Sequence, residues 1–131
     1  MKNDISNRND IIILVDTFYK NVVLNEQIGP IFTDVAKVDW AHHLPKMYDF
    51  WESILFGKAI YKGNPMLTHF TLNEQTPLQT EAFETWKNLF FKNVDDLFTG
   101  PNAELIKQKA QSIADLMQFK INSQQSKIKI V

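Results

Sequence analysis

Between residues 10 and 24 the apolar positions Ile11, Ile12, Val15, Phe18, Tyr19 and Val22 recur every three or four residues, the spacing that lines one face of a helix. A first helix is therefore predicted from Asp10 to about Leu24. The stretch "NEQIGP" breaks the pattern: Gly29 reads as a helix stop, and Pro30 suits the first turn of a short new element, "PIFTDVA". The next helix is predicted from about Asp39 to Phe56, ended by Gly57, with Trp40, His43, Met47, Phe50, Trp51, Ile54 and Leu55 on neighbouring rows. Pro45 falls inside it. Proline in a helix interior costs about 3 kcal/mol or more, so either regular helix starts no earlier than His42 or the first turn is distorted.

Residues 57–80 hold Gly57, Gly63, Pro65 and Pro77 but no sustained period, and read as a long connection with room for one helical turn around His69. Connections of this length in compact domains usually serve a function. Thr80 is the expected cap of a helix over 81–98, whose row Phe83, Trp86, Phe90, Val94 and Leu97 is predicted to be buried. Gly100–Pro101 separates it from a last helix with Asn102 as the expected cap and the stripe Ile106, Ala110, Ile113, Met117 and Ile121. The ends, 1–9 and 122–131, carry no such pattern and are expected to be flexible. No segment combines strand alternation with hairpin turns, and no repeat appears. The fold class is all-α, one domain over 1–131 with a non-helical gap in its middle.

Composition narrows the functions available. A chain of 131 residues with 44% hydrophobic and 22% charged residues is globular, and ten Phe, three Trp and three Tyr are a heavy aromatic share that some structure must use. Fourteen basic against fifteen acidic residues give a net charge of −1, which argues against a nucleic-acid partner or an anionic membrane surface. Without cysteine there is no disulfide frame, thiolate nucleophile or Cys-held metal. "MKNDISNRND" lacks the apolar core of a signal peptide and "IIILV" is too short to span a bilayer, so the expectation is a cytoplasmic protein. Phosphate-binding glycine motifs and a helical zinc motif are both missing, and the adjacent His42 and His43 point about 100° apart on a helix, a poor chelate. Asp49, Glu52, Glu81, Glu84, Asp95 and Asp96 fall between apolar positions and are expected to face water.

Four residues remain that carry a polar atom into apolar surroundings: Tyr19 on the first helix, His43 on the next, Trp86 on the one after the gap, and His69 within the gap. An unpaired buried donor costs about 1–3 kcal/mol, so each needs a partner. One answer is bland, with each bonded separately to backbone. Another serves all four: a flat apolar cofactor with a metal at its centre, such as haem, whose iron needs one imidazole and leaves its other face open. Phe32, Met47, Phe50, Met66, Leu67 and Phe83 would then supply apolar walls. A Tyr hydroxyl and a Trp indole N–H are suited to hydrogen-bond a ligand bearing partial negative charge.

In this arrangement the chain resembles the truncated haemoglobins, and within them group III. The resemblance covers roughly residues 11–120 and rests on "FYKNV", "IGPIF", "WAHHLPKMYDFW", "NPMLTHF" and "FETWKNLF" in that order and spacing. It implies a two-over-two helical sandwich with a largely non-helical proximal segment, and haem b, iron protoporphyrin IX, as cofactor. His69 would be the proximal iron ligand, and Tyr19 and Trp86 the distal donors. His43 would be the distal-helix histidine discussed as a gate, and Lys46 a partner for a haem propionate. Trp51 and Phe90 join the expected pocket. Met47 stands where the family more often has a branched aliphatic residue, and the glycine-pair motifs of other groups are missing, as is general in group III. A monomer or weak dimer is expected.

The functional reading is a haem protein binding dioxygen or another diatomic ligand. An alternative is a haem enzyme, dioxygenating nitric oxide or reducing peroxide, which would depend on a separate reductase. A third is a helical interaction module without cofactor.

Overall fold

The computed structural model describes residues 2–35, 39–57 and 80–130, with side chains described at 2–33, 39–57 and 81–119. Four α-helices account for most of these: α1 (Arg8–Leu24), α2 (Trp40–Phe56), α3 (Thr80–Leu97) and α4 (Pro101–Ile130), with a π-helical turn at Ile31–Val35 between the first two. Helix α1 packs on α2 and α3, and α4 packs on α3 and α2. The result is the α1–α2 pair laid over the α3–α4 pair, as predicted, with no strand among the described residues.

Helix α1 starts two residues earlier than its apolar period suggested. Asn7 caps it by accepting from the Asp10 N–H at 3.0 Å, while the Asp10 carboxylate reaches back to the Ser6 N–H at 2.8 Å. Its buried face includes Leu14 beside the expected Ile11, Val15, Phe18, Tyr19 and Val22, while Ile12 is half-buried. The helix ends at Leu24, as its period predicted, and the Asn25 side chain accepts from the N–H groups of Gln27 and Ile28 and folds the chain into a corner. Gly29 serves close approach instead, since a Cβ there would lie 2.6 Å from the Val23 carbonyl oxygen.

Asp39 caps α2, and its carbonyl accepts from both His42 (3.1 Å) and His43 (2.9 Å). The first turn is thus tightened, and the helix runs from Trp40 through Pro45 without a break. Gly57 ends it with φ +70°, as its position predicted. Thr80 opens α3 from inside the helix rather than capping it.

The cap of α4 is not Asn102 but Asp4, from the other end of the chain. Its carboxylate accepts from the N–H groups of Asn102 (3.0 Å) and Ala103 (2.9 Å), and Asn102 Nδ2 donates to the Ile5 carbonyl at 2.8 Å. Gly100, at φ +142°, gives that carboxylate room, since a Cβ there would lie 2.5 Å from Asp4 Cγ. The first residues, expected to be loose, therefore hold α4 and bury Ile5 completely. At the other end the helical backbone runs on to Ile130, through the stretch expected to fray.

Burial pushes the Asp4 carboxyl up, but the N–H groups of Asn102, Ala103 and Ile5 pull it down further, leaving it below its ordinary value. A carboxyl depressed on folding contributes stability above its unfolded value, and that contribution is lost as pH falls through the folded value. Asp4→Ala is accordingly expected to cost about 0.5–2 kcal/mol in urea unfolding at neutral pH. The gap between parent and variant should close below about pH 4. A gap that persists undiminished in acid would show that the charged cap is not its source.

The core centres on Phe18 and Phe90, in edge contact at 5.1 Å, with Trp51 stacked on Phe90 at 5.0 Å. Burying such a ring contributes about 1.5–3 kcal/mol, and each well-placed ring pair about 0.5–1.5 kcal/mol more. Two polar side chains enter this interior, one of them against expectation. Asn93 on α3 donates to the Leu14 carbonyl of α1 at 2.9 Å, a bond that offsets the cost of burying its amide. Glu52, expected to face water, is 5% exposed, because Arg8 reaches across from α1 to it (3.2 Å) and to Asp49 (2.9 Å). The Asp49 hydrogen bond foremost holds the Arg8 guanidinium above its ordinary pKa.

Candidate haem pocket

Neighbours on a helix diverge by about 100°, and this one fact sorts the site residues. On α1, Phe18 turns into the core while Tyr19 turns toward α2, where it is 8% exposed. On α2, His42 stays in water, 3.6 Å from Asp39, whereas His43 is half-buried with its ring edge-on to Tyr19 at 5.0 Å. The pair flagged in the sequence is thus one surface residue and one site residue.

Around Tyr19 and His43 the rings close into a cluster. Trp40, one turn before His43, lies 5.4 Å from Tyr19 and 5.6 Å from His43. Phe32, carried by the π-helical turn, stacks on Trp40 at 6.4 Å and meets Tyr19 at 6.1 Å. Three segments therefore converge: the corner at Asn25–Gly29 returns Phe32 to α1, and α2 brings Trp40 and His43 down on the same tyrosine. Trp86 on α3 joins through Phe18, which it meets edge-on at 5.8 Å while stacking on Phe90 at 5.6 Å.

The walls divide by burial. Met47 and Phe50, one and two turns beyond His43, are half-buried against the core, as are Phe32 and Trp86. Phe83, one turn before Trp86, is buried. Trp51 and Phe90 lie deeper, stacked on each other. Lys46 is exposed and makes no ion pair among the described residues. His69, Met66 and Leu67 lie outside the described residues. Among the described residues no group of three His, Asp or Glu side chains gathers to hold a bare metal ion.

Sequence reasoning missed Trp40 as a site residue. The signal was there, since Trp40 precedes His43 by three positions and shares its helix face. It also missed the Tyr48 hydroxyl, which donates to Asp16 across the α1–α2 junction. Burial first, and the Asp16 hydrogen bond second, push the Tyr48 phenol up to about 12.

Comparison with known proteins agrees with the helical fold. The family model for bacterial-like globins matches residues 3–122. A group 3 truncated hemoglobin of Campylobacter jejuni is 31% identical over 121 residues, spanning 90% of this chain and 93% of that one. The crystal structure of a group III truncated hemoglobin from the same species superposes with a TM-score of 0.80 at 31% identity, over 92% of this chain and 95% of that one. No helix among the described residues is long and apolar enough to cross a membrane.

Globins bind haem, and the residues present fit that group. Half-buried Phe32, Met47, Phe50 and Trp86 offer apolar surface to a flat macrocycle, while Tyr19, His43 and Trp86 offer donors within it. Sequence, fold and pocket thus agree: the chain belongs to the bacterial-like globin family, as a haem-binding truncated haemoglobin of group III.

Proposed function

We propose that the chain holds haem b through His69 and binds dioxygen, or another diatomic ligand, under the hydrogen bonds of Tyr19 and Trp86. The observation that carries this reading is a buried phenol set edge-on against a half-buried histidine in a cluster otherwise made of apolar rings. Such a cluster excludes water and leaves few polar groups to compete for a ligand, so each donor acts at low local dielectric. Haem would supply, when bound, an iron able to take a diatomic ligand. Tyr19 then offers an O–H and Trp86 an N–H to a ligand that carries partial negative charge. His43, in contact with Tyr19, is the group through which a proton would be held near that ligand. Lys46, exposed one turn along, would meet a propionate.

Reconstitution tests this. Haemin added to the purified chain is expected to give a Soret band that saturates at one equivalent and shifts when the reduced protein meets carbon monoxide. A chain that develops no Soret band after haemin addition would be a helical module without cofactor.

A further inference from the structure

Trp40, Tyr19 and His43 form a triangle of rings with nearly equal sides: Tyr19 lies 5.0 Å from His43 and 5.4 Å from Trp40, and Trp40 lies 5.6 Å from His43. Two corners, the phenol and the imidazole, carry the polar groups assigned above to a bound ligand. The third corner, an indole, has no such assignment. Trp40 and His43 are three positions apart on α2, so they project from one face of the helix and meet the Tyr19 ring together.

Their common base is fixed by the cap of that helix. The Asp39 side chain accepts from the Ala41 N–H at 3.2 Å, and its carbonyl accepts from His42 at 3.1 Å and His43 at 2.9 Å. The turn that carries both rings is therefore hydrogen-bonded at its start. Phe32, on the π-helical turn, stacks on the Trp40 indole with an interplanar angle of 21°. A phenol ring turns about two side-chain torsions, so the direction of its hydroxyl is set by what stands beside the ring. Phe18 touches Tyr19 from the same helix, while Phe32, Trp40 and His43 reach it from other segments. Among the described residues, Trp40 is the one of these three that also touches both of the others.

We propose that Trp40 is a positioning residue for the distal pair: it holds the Tyr19 phenol and the His43 imidazole in edge contact and so sets the direction from which the phenol reaches a bound ligand. The inference rests on the haem-binding function proposed above and adds the residue that orients its donors. Trp40 also lines an open surface groove with Leu44, so a smaller side chain leaves space continuous with solvent rather than a sealed cavity. The fold is expected to tolerate the change.

The test compares Trp40→Leu, which keeps apolar bulk without a flat face, with Trp40→Phe, which restores one. Both are measured in the full chain loaded with haem and carbon monoxide. Proton NMR is expected to show cross-relaxation between the Tyr19 and His43 rings in the parent and in Trp40→Phe, and none in Trp40→Leu. The infrared stretch of the bound carbon monoxide should be one dominant band in the parent and in Trp40→Phe, and split into several in Trp40→Leu. Dioxygen dissociation should speed by about three- to tenfold in Trp40→Leu, the scale of lost ring contacts, and by less than about twofold in Trp40→Phe. Helical circular dichroism at parental strength qualifies each variant, and Trp40→Met replaces a leucine variant that is not folded. Normal haem uptake with a lowered urea midpoint in Trp40→Leu, but with cross-relaxation and stretch unmoved, is the result of packing alone and overturns the positioning role by itself. A parent that takes up no haem overturns the proposed function and this role together.

Discussion

His69→Gly is expected to remove the ferrous spectrum of a histidine-held haem and to weaken haem retention by more than about 100-fold. Loss of a partner that merely orients a metal ligand costs about 10–100-fold in affinity, and the ligand itself should exceed that. The chain has two other imidazoles to consider. His42 is exposed beside Asp39, and His43 lies against Tyr19 on the side assigned to the bound ligand. Added imidazole should restore the histidine-type spectrum in His69→Gly by filling the space the side chain vacates. A variant that keeps the parental ferrous spectrum without imidazole would assign the iron to another ligand.

Removing the proposed distal donors, Tyr19 and Trp86, should have the second largest effect. A hydrogen bond to a charged or strongly polarised partner is worth about 1.5–3 kcal/mol, and each 1.4 kcal/mol is tenfold in rate or equilibrium. Tyr19→Phe or Trp86→Phe alone is then expected to speed dioxygen dissociation by about 10- to 100-fold. Tyr19 and Trp86 both lean on Phe18, so the two losses should couple, and the double variant should fall short of the product of the singles. Stopped-flow displacement of dioxygen by carbon monoxide measures all three rates. Dissociation unchanged in both singles would mean the phenol and the indole serve packing alone.

How much of this was legible in the sequence follows from the distance between partners. Helices α1, α2 and α3 were written in their apolar periods, because a residue and its helical neighbour are three or four positions apart, although the caps expected for α1 and α3 were not the ones used. Gly57 and Asp39 could be read for the same reason. That Tyr19 and His43 face inward needed only the direction in which each helix presents its apolar row, whereas the fold-back of Phe32 onto Tyr19 is seen only in the packing. What stayed hidden was long-range. Asp4 looks like one polar residue in a loose leader, and nothing local reveals that its acceptors are wanted 98 positions later by Asn102. Glu52 reads as a solvated acid until Arg8, 44 residues away, is seen to cover it. Asn93 likewise answers a carbonyl 79 residues distant. Gly29 was read as a stop, whereas its role is local close packing, yielding space to the Val23 carbonyl of the helix just before it. Composition marked the aromatic surplus, but only the packing tells Trp40, which touches the site, from Trp51, which is sunk in the core.

The clasp between Asp4 and the head of α4 also orders events in assembly. Residue 4 leaves the ribosome long before residue 102 and must wait for it, and closing so long a loop exacts an entropic toll that grows with the logarithm of its length. That toll falls once the packed core has gathered the helices, so the latch is expected to close after they meet, joining residues that the chain itself keeps far apart.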